Sequence, residues 1–267
     1  MSESAEPYAE GDVPSLILLG DSITQYSFSA AGGWATILAD RLQRRCDVIN
    51  RGYAGYNTRM LLHYLPSILN QFTKSPENVC GFVVFLGAND ACDQSLNPQQ
   101  HVPLLEYEDN LVEIVRYILE KFPHLKKENE DVCENIILIS PPPVDEEMRQ
   151  AYCNSQNTAV CRFCHVTECY AKACKDASQR VNVAHCAFFN AAISAGVIPS
   201  MANLTEACAI VPEPMTDQFF TDGLHLGVNG ANMLASILWP QISKITCNLK
   251  QFYPLWRDID NTKLIPE

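Results

Sequence analysis

Apolar residues in this chain come in two rhythms. Short runs rich in Val, Ile, Leu and Phe lie at 15–19, 47–50, 82–86, 135–140 and 181–185. They lack strict alternation with polar residues, which predicts strands covered on both faces. Between them the apolar positions recur at three- and four-residue steps. Leu111, Ile114, Val115, Ile118 and Phe122 form one such stripe, with Glu113, Arg116 and Glu120 outside it, as expected of an amphipathic helix. Residues 34–45 and 59–70 read the same way, and so do Val228, Ala231, Leu234 and Leu238, ahead of Pro240. Strand and helix in alternation predict an α/β fold with a mostly parallel sheet between two helical layers. In such sheets the reactive groups sit on loops at the carboxyl ends of the strands.

The boundaries expected are a polar tail over 1–13, one domain over 14–248 and an arm over 249–267. The arm carries Phe252, Tyr253, Leu255 and Trp256. These are too apolar to hang in water, so the arm is expected to pack on the body or to join a second copy as a homodimer. The longest apolar runs are four or five residues, far short of the ~20 that a spanning helix needs. A balance of 19 basic and 31 acidic residues gives a net charge of −12. That charge repels phosphate backbones and anionic lipid, so neither nucleic acid nor a membrane is an expected partner, and neutral small molecules fit better. Residues 1–12 show no basic stretch followed by an apolar one, so no secretory signal is read there and a cytoplasmic location is expected. The 12 cysteines are then read as free thiols. The sequon Asn203-Leu204-Thr205 points weakly the other way.

Four strand-end positions can carry chemistry. Gly20-Asp21-Ser22 follows the first strand and sets a serine near a helix start, as a nucleophile or as a simple cap. The Gly-x-Ser-x-Gly elbow of ordinary α/β-hydrolases is absent, since position 24 is Thr. Gly55 follows the second strand and could bring a backbone N–H close to a ligand, or simply turn the chain. Asn89 ends the third strand in Gly87-Ala88-Asn89-Asp90, as an oxyanion donor or as a residue bonded to its own turn. Asp222-Gly223-Leu224-His225 puts a carboxylate three residues before an imidazole, close enough to fix its tautomer, or is a helix-capping Asp followed by a surface His.

Together and in this order, the blocks at 20–24, 55, 87–90 and 222–225 resemble those of the SGNH (GDSL-type) hydrolases. Gly32-Gly33-Trp34, Asn50-Arg51-Gly52, Gly55-Tyr56-Asn57-Thr58-Arg59, Pro141-Pro142-Pro143 and Tyr170-Ala171 extend the likeness to the eukaryotic isoamyl acetate-hydrolysing esterase group, over roughly 15–245. The resemblance implies a flavodoxin-like three-layer α/β/α sandwich with five strands. It implies Ser22 as nucleophile, His225 as base, Asp222 as its partner, and an oxyanion hole from Ser22 N–H, Gly55 N–H and the Asn89 side chain, without metal or cofactor. The implied activity is hydrolysis of small neutral esters, with acetate as the model acyl group. The same site would serve a thioesterase, a lysophospholipase or a sugar deacetylase, or would sit silent in an acyl- or glycan-binding protein. Ala54 departs from the Ser that many relatives carry there, and residues 181–221 match the group less well.

A rival constellation lies at Cys153, Cys161, Cys164, Cys169 and Cys174. Cys161-Arg162-Phe163-Cys164-His165 fits a c-type haem attachment pattern, and the spacings would suit zinc. No export signal supports haem, and no second Cys-x-x-Cys pair completes a zinc site. Free, partly buried thiols on a helix are expected instead.

Overall fold

Five strands form one sheet in the order β2-β1-β3-β4-β5, with every pair parallel. They are β1 (Ser15–Gly20), β2 (Asp47–Gly52), β3 (Val79–Phe85), β4 (Cys133–Ile139) and β5 (Val183–Cys186). This order is that of the flavodoxin-like class. The computed structural model describes residues 8–9, 11–29, 33–127, 131–198 and 219–259. The sequon at Asn203, Gly32, most of the N-terminal tail and of the acidic cluster at 128–131, and the end of the arm lie outside the described residues.

Alternate side chains of each strand enter opposite layers, because successive Cβ atoms point to opposite faces. Leu16, Leu18, Val83, Phe85, Ile137 and Ile139 pack with α2 (Trp34–Arg41), α7 (Phe188–Ser194) and α8 (Val228–Thr246). Ile17, Leu19, Phe82, Val84, Ile136 and Leu138 pack with α3 (Thr58–Leu69), α4 (Leu104–Lys121) and α6 (Cys164–Arg180). Both faces are thus apolar, which is why the strand sequences read as runs. Two further helices, α1 (Ser22–Gln25) and α5 (Glu146–Ser155), lie beside the carboxyl ends of the strands.

Three boundaries differ from the sequence expectation. The last strand begins at Val183, not 181. Val181 and Asn182 instead close α6, bonding back to Ala177 and Gln179, and Asn182 takes a left-handed φ of 51°. The helix expected over 34–45 stops at Arg41. Arg45 and Cys46 N–H groups both turn back to the Leu42 carbonyl, and Arg44 sits at φ 62°. Conversely, α8 runs through Pro240 to Thr246. Ser236 and Pro240 are exposed, so the carbonyl that Pro240 leaves without a donor lies on the wet side, while Leu238 and Ile242 stay buried.

Part of the arm lies against the body. Arg44 donates to the carbonyls of Phe252, Tyr253 and Pro254, and Phe252 N–H donates back to Arg44 at 2.6 Å. Phe252 is buried, whereas Trp256 is 84 % exposed. Among the described residues no helix is long and apolar enough to cross a membrane.

Leu18, fully buried in the central strand, tests the two-layer packing. Leu18→Ala is expected to lower unfolding free energy by about 2–5 kcal/mol in urea titrations. A loss below about 1 kcal/mol would mean that the layer is not packed as described.

Candidate active site

The sheet register sets the stage. Gly20 of β1 lies opposite Gly52 of β2 and Phe85 of β3. Ser22, Gly55 and Asn89 follow those three residues by two, three and four positions, on loops at the same sheet edge. The edge is also where the strand order reverses around β1 and β3, the place where open α/β sheets bind ligands.

Asp21, not Ser22, caps α1: its carboxylate accepts from Ile23 N–H at 2.8 Å. Ser22 is therefore free of capping work. Its Oγ lies 2.8 Å from His225 Nε2, across 203 residues of sequence. His225 Nδ1 in turn lies 2.9 Å from Asp222 Oδ2. An ionised carboxylate only accepts, so Nδ1 carries the ring proton and Nε2 is left to accept from the Ser22 hydroxyl. The Tyr26 ring lies against the imidazole in a T-shaped arrangement, with centroids 6.0 Å apart.

The Asp222 loop is built to hold this geometry. Asp222 Oδ1 accepts from the backbone N–H groups of Leu224 and His225 at 3.0 and 2.8 Å, an Asx turn that fixes the carboxylate against its own chain. Gly223 adopts φ 81°, and a Cβ there would meet Arg149 N and Asp145 O at 2.5 Å. Only glycine lets the loop press against the start of α5. That approach delivers Arg149, whose Nη1 donates to Asp222 Oδ2 at 2.6 Å in a mostly buried ion pair. Burial opposes ionisation of Asp222. The side-chain and backbone hydrogen bonds of His225 and the charges of His225 and Arg149 outweigh it, and hold the carboxyl well below the usual range. Arg149 leaves no periodicity or motif in the sequence, and sequence reasoning missed it.

Gly55 takes φ 81°, and its carbonyl accepts from Gln100 Nε2 at 2.9 Å. Asn89 is buried, but its side chain does not bond its own turn. Its Nδ2 donates to the Tyr56 carbonyl at 2.8 Å, joining the loops after β2 and β3, and its Oδ1 accepts from Arg162 at 2.7 Å. Asp90 is buried behind it, with Oδ1 accepting from Thr58 N–H and Oγ1 at 2.9 and 2.6 Å. Asp90 Oδ2 has no partner among the described residues. A lone buried carboxylate oxygen is better tolerated protonated. Burial accordingly raises Asp90 to about 6 against the hydrogen bonds from Thr58, and raises Asp21 to about 7 against the Ile23 N–H and the His225 charge.

The five cysteines of the rival constellation do not gather. Cys153 is on α5, Cys161 precedes α6, and Cys164, Cys169 and Cys174 are spread along α6. Among the described residues no three His, Cys, Asp or Glu side chains converge as a metal site.

A hydroxyl, an imidazole and a carboxylate thus form one hydrogen-bonded chain at the carboxyl edge of a parallel sheet. Comparison with known proteins gives the class. The model of the GDSL-like lipase/acylhydrolase family matches residues 18–233, and the chain belongs to that family, which places it among the carboxylester hydrolases. An isoamyl acetate-hydrolyzing esterase 1 homolog of Rattus norvegicus is 36 % identical over 252 residues, covering 94 % of this chain and 90 % of the relative. A GDSL esterase/lipase of Arabidopsis thaliana is 36 % identical over 215 residues, covering 79 % of this chain and 78 % of the relative. Among solved structures, a lipase/acylhydrolase from Enterococcus faecalis shares the fold with a TM-score of 0.60 at 20 % identity, covering 91 % of this chain and all of that one.

The two raised carboxyls give a stability prediction. An unfolded Asp loses its proton near pH ~3.9, whereas Asp90 and Asp21 keep theirs to about 6 and about 7 when folded. Over that window the folded state binds more protons, so these groups lower stability as pH rises. Asp21→Asn and Asp90→Asn keep the accepting oxygens and remove the titration. Their Tm is expected to gain on wild type from pH 5 to about 7.5 by differential scanning fluorimetry. Parallel Tm curves across that range would refute the assignment.

Proposed function

We propose that the protein hydrolyses small neutral carboxylic esters, of the short-chain acetate type, through a Ser22 acyl-enzyme. The observation that carries this reading is the unbroken Ser22–His225–Asp222 chain, with links of 2.8 and 2.9 Å. Ser22 Oγ attacks the acyl carbonyl as its proton passes to His225 Nε2. Asp222 holds the imidazole and offsets the positive charge it gains. The tetrahedral oxyanion is received by Ser22 N–H, Gly55 N–H and the second N–H of the Asn89 amide, the first being spent on Tyr56. As the C–O bond to the alcohol breaks, His225 returns the proton to the leaving oxygen. Water then attacks the acyl carbon, again giving a proton to His225, and the acid leaves as Ser22 regains its hydrogen.

Two features favour a short, uncharged substrate. The cavity beside the reacting pair, lined by Ser22, Ile23, Tyr26, Trp34, His225 and Leu226, has a volume of about 30 Å³. So small a cavity suits a short acyl group better than a long chain. The net charge of −12 disfavours anionic esters. The isoamyl acetate name of the mammalian relatives agrees with both.

Intact-mass measurement after fluorophosphonate treatment tests the nucleophile. One adduct is expected on the wild type and none on Ser22→Ala; unmodified wild type would point to a silent binding protein. A panel of acetate, butyrate and octanoate esters, with thioesters, lysophospholipid and acetylated sugars beside them, then ranks kcat/KM. The acetate esters should lead, and a leading octanoate or lysophospholipid would overturn the short-acyl reading.

A further inference from the structure

Arg162 is 7 % exposed, and among the described residues it makes no ion pair with a carboxylate. A buried guanidinium so placed is costly unless its donors are used, and here all three nitrogens are engaged. Nε donates to the Ala88 carbonyl at 2.9 Å, and Nη1 faces Cys161 Sγ at 3.4 Å. Nη2 donates to Asn89 Oδ1 at 2.7 Å and to Gln100 Oε1 at 2.8 Å. Gln100 passes the connection on, its Nε2 donating to the Gly55 carbonyl at 2.9 Å. The segment is anchored on both sides: Asp93 N–H donates to the Cys161 carbonyl, and Cys164 N–H donates to Glu146 Oε1.

We propose that Arg162 is a positioning residue that fixes the Asn89 amide with its N–H group toward the reacting carbonyl and ties Asn89 to Gly55. The inference rests on the reading of Gly55 and Asn89 as oxyanion donors. An Asn side chain turned by a half-turn exchanges oxygen and nitrogen with almost no change of shape. Flipped, Asn89 would offer an acceptor to the oxyanion and repel it. Arg162 can only donate, so it rejects the flipped amide nitrogen. The Tyr56 carbonyl can only accept, so it rejects the flipped amide oxygen. The two partners therefore select one orientation from opposite ends. The cation on Oδ1 also draws electron density from the amide and makes its N–H a stronger donor, an effect that grows as the oxyanion forms. The consequence belongs in kcat more than in KM.

A double-mutant cycle separates this role from general support of the fold. Arg162→Met, Asn89→Ala and the double variant are compared by kcat per fluorophosphonate-reactive Ser22. Asn89→Ala should lose about 10²–10³ in kcat. Arg162→Met should lose about 10–100-fold, with KM within about threefold, and add less than about threefold in the Asn89→Ala background. Equal losses in both backgrounds would overturn the proposal and leave Arg162 as structural support. Wild-type kcat in the Arg162 variant, with Asn89→Ala impaired, would overturn it while sparing the oxyanion reading. Wild-type kcat in Asn89→Ala would sink both. If Arg162→Met yields no folded protein, Arg162→Lys keeps the charge, drops the planar fork and is read through the same cycle.

Discussion

A sheet covered on both faces leaves polar chemistry one place to go. Every strand residue of β1 from Leu16 to Leu19 is fully buried, so neither layer tolerates an unpaired charge or hydroxyl. The carboxyl edge is where the backbone leaves the ladder and side chains meet solvent. Parallel pairing then does the rest. Because all five strands point the same way, loops separated by dozens of residues emerge at one rim, and a register fixed by apolar side chains also fixes how far each loop stands from the others. The 203-residue separation of Ser22 and His225 is closed by hydrophobic packing, not by any attraction between the two.

Three buried aspartates at this rim show how partners, not burial alone, decide charge. Asp222 receives two backbone N–H groups, an imidazole and a guanidinium. Asp21 receives one backbone N–H, and Asp90 receives two donors on a single oxygen. Desolvation pushes all three toward the neutral form, and only Asp222 has enough donors to overcome it. The carboxylate that meets the imidazole is also the one with an arginine built against it. The same arginine shares Oδ2 with His225, so it stabilises the anion while tempering its pull on the ring proton.

Much of this was legible in the sequence. The strand runs were, because double-sided burial writes itself as unbroken Val, Ile, Leu and Phe. Ser22, Gly55, Asn89, Asp222 and His225 each read as readily as ordinary turn or cap residues, and it was their order along the chain, resembling the SGNH blocks, that singled them out. Boundaries were harder. Asn182 carries a left-handed turn that looks like strand in a Val-Asn-Val pattern, and Pro240 looks like a stop where only a solvent-facing carbonyl loses its donor. The arginines were invisible for a different reason. A guanidinium reaches its partner at the end of a long side chain, so its position in sequence says little about where its charge lands.

Arg149 and Arg162 both lie in the stretch between β4 and β5, outside the blocks that carry the reactive groups. One is delivered by α5 to Asp222, the other by the turn before α6 to Asn89 and Gln100. In Cys161-Arg162-Phe163-Cys164-His165 the eye goes to the thiols and the imidazole, yet the arginine between them makes the contacts to the rim. The reactive groups and their electrostatic frame are thus encoded in different parts of the chain. A single segment reaches both ends of the site, the imidazole's carboxylate on one side and the Asn89 amide on the other. Shifts in the packing of α5 and α6 would then alter the surroundings of Asp222 and Asn89 without touching a residue of the four strand-end blocks.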